Sequence, residues 1–284
     1  MIQKVKNLLM RTLLRGLSTI KSQNFWKTLY LLALKQMNFG NGGNFSQSGE
    51  LFVLKLIQKK LEKEPEIVIF DVGANVGNYS KIARELFNAN KTKIFAFEPS
   101  KKTFELLVKN TLAFENIIPI HLGLSSAAHT QLLFSNKDAS ELASVYPRKL
   151  NHFGIQMDKS EEIQLTTIDN FCNQHNITHI HFLKLDIEGH EMAALKGAKE
   201  MIANKKIDFI QFEFGGCNID SKTYFQDFYY LLKDDYQIYR VLQDDIYELS
   251  VYEETLEVFI TSNYFAIKKI IYLCIQPFLY SITL

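Results

Sequence analysis

Four acids close apolar runs in this chain: Asp71 after Ile67-Val-Ile-Phe70, Glu98 after Lys93-Ile-Phe-Ala-Phe97, Asp186 after Ile180-His-Phe-Leu-Lys-Leu185, and Glu213 after Ile207-Asp-Phe-Ile-Gln-Phe212. A carboxylate in such a place can accept hydroxyl hydrogen bonds, take a proton, hold a cation or simply cap the next helix. The densest polar stretch is Asp186-Ile-Glu188-Gly189-His190-Glu191. Its composition suits a general base or a divalent ion. His190 is the first candidate for the base, since an imidazole titrates at about 6.5 when unperturbed. Asp186 and Glu188 compete with it, because crowding by like charges raises a carboxyl's proton affinity. Glu213 would orient either that base or its substrate, and Asp186, Glu188 and Glu213 together offer the oxygens that a hard cation such as Mg²⁺ prefers.

A second constellation precedes the others. The run ending in Asp71 turns at once into Val72-Gly73-Ala-Asn75-Val-Gly77. Glycines at 73 and 77 let the backbone turn tightly and approach a guest, and Asn75 is the best non-glycine for a left-handed position. Glu98 lies 21 residues beyond Gly77, the distance at which dinucleotide-type folds place an acid on the ribose hydroxyls. The spacing G-x-x-x-G, however, is not that of a diphosphate cradle. Asp71, Gly73, Asn75, Gly77 and Glu98 therefore read as a nucleoside site without a pyrophosphate.

Parallel strands must position these groups. Apolar runs without alternation suit strands covered on both faces, and helices are expected over 79–87, about 102–112, 169–175 and 224–232. Strands are expected at 67–71, 93–98, 117–122, 180–186 and 207–213, and the alternation is that of right-handed βαβ units. Residues 130–134 and 163–168 read as short added strands, 237–242 and 257–267 as the last two. Residues 135–160 form a long polar excursion, assigned to substrate recognition because long irregular segments are usually lids or binding loops.

Asp71-Val-Gly-Ala-Asn-Val-Gly-Asn-Tyr-Ser80, Phe97-Glu-Pro-Ser100, Leu122-Gly-Leu-Ser125 and Leu183-Lys-Leu-Asp-Ile-Glu-Gly-His-Glu191 resemble, in order and spacing, the motifs of FkbM-type S-adenosylmethionine-dependent methyltransferases. The resemblance covers roughly 48–268. It implies a class I Rossmann-like α/β fold, a mostly parallel seven-stranded sheet with helices on both faces and the last strand antiparallel. It further implies O-methylation of a hydroxyl on a sugar, glycan or related metabolite. In that reading the loop from Asp71 to Gly77 holds the amino-acid end of S-adenosyl-L-methionine, Glu98 the ribose and Ser125 the adenine side. Base-modifying relatives of this architecture carry prolines and an aromatic after the fourth strand's acid. Here Asp186-Ile-Glu-Gly stands instead, which disfavours nucleobase methylation. A nicotinamide-dependent oxidoreductase and a non-catalytic membrane-associated module of the same fold are the competing readings.

The 284 residues divide into a head with Gly-rich linker (1–45), a catalytic body (46–268) and an apolar tail (269–284). Residues 1–49 hold seven Lys or Arg and no acid, whereas the body is mildly acidic, which argues against general nucleic-acid binding. The head is amphipathic, with no long apolar run for a secretory signal or a membrane span. It reads as a helical cap on the domain or as a membrane-surface helix. The tail packs as a terminal helix or adds a second surface anchor. Cys172, Cys217 and Cys274 show no metal or disulfide spacing, so a cytoplasmic protein, at most peripheral to a membrane, is expected.

Overall fold

A computed structural model describes residues 22–41 and 45–271. Among these residues the central sheet has eight strands in the order β10-β9-β11-β8-β7-β1-β2-β3, with β1 Ile67–Val72, β2 Thr92–Phe97, β3 Ile117–Ile120, β7 Ile180–Leu185, β8 Ile207–Phe214, β9 Tyr236–Val241, β10 Ile246–Glu248 and β11 Ser262–Lys268. β3, β2, β1, β7 and β8 run parallel. β11 lies antiparallel between β8 and β9, so β9 returns to the direction of the parallel set. The expectation of seven strands falls one short. Leu242 N–H donates to Asp245 O, closing a turn that folds β10 back onto β9 as an edge hairpin. Likewise the last strand begins at Ser262, not 257, because Glu257 is occupied in accepting from the N–H groups of Phe225 and Gln226 at the start of helix Phe225–Leu232.

All six residues of β1 are buried. Alternate side chains therefore enter two cores: Phe70 joins Phe97, Phe171, Leu185 and Phe212 on one face, while Ile69 joins Ile94, Phe182, Phe209 and Phe265 on the other. This is why the run lacks alternation. Helix Glu50–Lys60 covers the second face through Val53, Leu54 and Ile57.

A smaller sheet joins β4 (Gly123–Leu124), β6 (Lys159–Thr166) and β5 (His129–Ser135). It carries the excursion toward the carboxyl ends of the large sheet, where ligands bind in open α/β folds. The head's described helix is Gln23–Gln36; residues 1–21, and the tail from 272, lie outside the described residues. The chain after that helix is fastened to the domain. Asn38 Nδ2 donates to Ser48 O and Val241 O, and Gly40 N–H to Thr261 O.

Candidate donor cleft and its acidic wall

Beyond the tips of β1, β2 and β7 lies a cleft. Gly73, Asn75 and Glu98 form one side, Asp186, Glu188 and His190 another. The wall between them is apolar, built from Leu124, Leu133, Val145 and Leu165. The sequence motifs thus converge, but not all of their residues reach the cleft.

Gly73 turns the chain out of β1 at φ +84°, and a Cβ there would lie 1.9 Å from Asp186 O. Its N–H and that of Ala74 both donate to Phe97 O, while Asp186 N–H donates to Val72 O. The loop is thereby sewn between β2 and β7. Gly73→Ala combines a left-handed backbone with a backbone clash and is expected to cost about 2 kcal/mol or more, lowering Tm by roughly 4–8 °C in a thermal melt. An unchanged melt would show that the loop relaxes freely. Asn75 follows in the left-handed region at φ +49°, with its Oδ1 buried and without a hydrogen-bond partner.

Glu98 accepts from Asn75 N–H at 3.1 Å and Ser100 N–H at 2.9 Å. Burial outweighs those two bonds and pushes its carboxyl up to about 7. Asp71 does not line the cleft. It is fully buried, accepts a 2.6 Å bond from Ser80 Oγ and so ties β1 to helix Asn78–Leu86. Gly77 also faces away, against Leu107 and Thr111, where its lack of a side chain lets helix Lys101–Thr111 approach.

At the β7 tip, Lys184 is 3% exposed and donates to Asp186 Oδ2 at 2.9 Å, with Glu50 Oε1 at 3.7 Å and the Tyr79 ring beneath it. Although burial disfavours its charge, Asp186, Glu50 and Asp71 together hold the ammonium well above the usual lysine range. Glu188 sits at φ +52° and is paired with the Arg148 guanidinium. Desolvation dominates, and neighbouring Asp186 and Glu191 add to it, so its carboxyl rises to about 8 despite Arg148. Glu213 lies behind it, not in the cleft wall, and burial beside Asp186 and Glu188 raises its carboxyl too.

His190 is held from both sides. Its Nδ1 is 3.0 Å from Tyr146 OH and its Nε2 is 2.9 Å from Ser125 Oγ. Burial lowers the imidazole to about 4, which alters the premise on which it leads the candidates for base. Ser125, 1% exposed, therefore touches His190 and not the cleft, which nearby is lined by Gly123 and Leu124.

Sequence reasoning passed over Arg148, Tyr146 and Ser144. All three lie on the excursion and fasten it across the β7 tip, Ser144 Oγ donating to Glu188 O at 2.7 Å. No local pattern marks them. Lys184 carried a readable signal, a cation inside an apolar strand two residues before an acid. As for Mg²⁺, two of the three acids proposed for it already carry side-chain cations, Lys184 on Asp186 and Arg148 on Glu188. Glu188 and Glu213 do bring donor atoms within 4.8 Å of each other and of Cys217 Sγ, but with Arg148 on Glu188 no chemistry is routed through a metal.

The strand order, with β11 antiparallel between β8 and β9 and the acids at the tips, defines a class I methyltransferase fold. A family profile described as "Methyltransferase FkbM domain" matches residues 71–241. The chain belongs to the FkbM methyltransferase family. It is 28% identical over 168 residues to "Hexuronic acid methyltransferase AglP" of Haloferax volcanii, an alignment covering 59% of this chain and 64% of that relative. To "2-O-methyltransferase NoeI" of Sinorhizobium fredii it is 22% identical over 174 residues, covering 58% and 70%. It thus spans less than two thirds of the length of the first of these. A crystal structure of methyltransferase FkbM from Methylobacillus flagellatus aligns with 71% of this chain and 44% of its own, at 18% identity and a TM-score of 0.42.

Proposed function

We propose that the chain transfers the methyl group of S-adenosylmethionine to a hydroxyl of a small sugar or glycan. The observation that carries this reading is the cleft held between Glu98 on one side and Asp186, Glu188 and His190 on the other. The names of the relatives, a hexuronic acid methyltransferase and a 2-O-methyltransferase, support the sugar acceptor.

The residues present fit such a donor. Gly73 lines the cleft, Asn75 Oδ1 is a buried acceptor still lacking a partner, and Glu98 is a carboxylate at the place where ribose hydroxyls need one. Leu124, Leu133, Val145 and Leu165 give an apolar slot for the base. When bound, the donor supplies an electrophilic methyl on a cationic sulfur. The chain's own part is orientation and proton removal. Glu188 is assigned the proton: it lines the cleft, and its carboxyl, pushed up to about 8, holds a proton far more firmly than an imidazole lowered to about 4. As the new C–O bond forms and the C–S bond breaks, the hydroxyl proton passes to the Glu188 carboxylate. His190 stays neutral and, with Tyr146, keeps the excursion closed over the site against water.

Titration of S-adenosylhomocysteine into the purified protein, followed by methyl transfer from labelled donor to a panel of neutral and uronic sugars, tests the reading. Micromolar binding and label in at least one sugar are expected. A folded protein that takes up no S-adenosylhomocysteine refutes the donor assignment. Binding without transfer to any hydroxyl refutes the acceptor assignment.

A further inference from the structure

The helix Gln23–Gln36 is the one long apolar segment among the described residues that the domain leaves in solvent. Phe25, Leu29 and Leu32 are 62%, 45% and 54% exposed. At spacings of four and three residues they form a single stripe along one side of the helix. Tyr30 and Leu31 are exposed as well, and of the fourteen residues only Leu34 is buried. A monomeric soluble protein rarely leaves such a row uncovered.

The charge around the stripe is of one sign. Lys27 and Lys35 lie on the helix and are exposed, and the first 49 residues contain seven Lys or Arg and no acid. An apolar stripe on a helix whose only charged residues are Lys27 and Lys35 matches a surface that is apolar beneath and anionic on top. A protein partner would satisfy the stripe alone; anionic lipid satisfies both features.

The point of attachment gives the helix its bearing on the site. Asn38 and Phe39, just beyond its C-cap Met37, are buried. Asn38 Nδ2 donates to Val241 O at the end of β9, and Ser262 Oγ to Asn38 O at the start of β11. In β11 the next residue, Asn263, pairs with Glu213. The helix therefore leaves the domain at the carboxyl end of the sheet, the end on which the cleft opens. The apolar tail, by contrast, begins after Lys268, at the opposite end of β11.

We propose that helix Gln23–Gln36 docks through Phe25, Leu29 and Leu32 on an anionic lipid bilayer. The docking itself stands on the exposed stripe and the basic head, and its test reads lipid, not turnover.

Full-length protein is sedimented with vesicles of phosphatidylcholine alone and of phosphatidylcholine with phosphatidylglycerol. Wild type is expected to pellet with the anionic vesicles and to be released as salt is raised. The triple change Phe25→Ser, Leu29→Ser, Leu32→Ser is expected to weaken this partition by about tenfold or more. Lys27→Gln with Lys35→Gln should lower the preference for anionic over neutral vesicles by a similar factor. All substituted residues are exposed, so the variants should fold, and unchanged titration with S-adenosylhomocysteine checks that they have. Wild type remaining in the supernatant, or a triple variant that pellets as wild type does, overturns the proposal. So does light scattering that finds a wild-type dimer made monomeric by the triple change with no loss of vesicle binding.

Discussion

Glu188→Gln is expected to lower kcat by about 10²- to 10⁴-fold, the usual worth of a general base, while donor affinity changes little. The amide keeps the size of the side chain and one oxygen for Arg148, but it cannot take a proton. Wild type should show the matching pH dependence. Because burial and like charges raise this carboxyl to about 8, the ionised form that accepts the proton accumulates as pH rises. The rate should climb by about tenfold per pH unit below that value and level off above it. The variant should lose that limb. If His190→Asn instead costs as much as is expected here for Glu188→Gln, and Glu188→Gln retains the wild-type rate, the imidazole is the base in spite of its low proton affinity. A metal requirement would show differently, as loss of activity on chelation, and the pairing of Arg148 with Glu188 and Lys184 with Asp186 predicts none.

The second large effect is on donor binding. Glu98→Gln is expected to weaken S-adenosylhomocysteine by about 10²-fold, since hydrogen bonds to a charged acceptor contribute roughly 1.5–3 kcal/mol each. It also sets an amide NH₂ against the Asn75 or Ser100 N–H, both of which need an acceptor. The sign of the pH effect follows from burial. With its carboxyl at about 7, wild-type Glu98 is protonated below that pH and loses acceptor capacity, so affinity should fall as pH drops from 8 to 6. In the Gln variant that slope should vanish. Isothermal titration across this range reads both effects, and a dissociation constant unmoved by the substitution would remove Glu98 from the ribose role. Asp71 serves as the contrast. Fully buried and bonded to Ser80, it should reveal itself in the melting temperature of a variant.

Much of this protein is legible in one dimension. The runs 67–72, 93–97, 180–185 and 207–214 are rich in apolar residues because both faces of each strand are covered, and that requirement acts on residue types locally. Acids that close such runs stand at strand tips by connectivity alone, which is why Glu98, Asp186 and Glu188 were found together with the loop through Gly73 and Asn75. Those features, with their order, suffice for the fold class and the family. What the chain does at a distance is another matter. Arg148 meets Glu188 across 40 residues and Ser125 meets His190 across 65, and no local pattern announces either pairing. Whether a motif residue faces the cleft or its support depends on small rotations of packed elements, so Asp71, Gly77 and Ser125 read like their neighbours yet stand behind them. Proton affinity is the clearest case. Desolvation is a property of everything packed around a group, and only the assembled tertiary structure lowers His190 while raising Glu188.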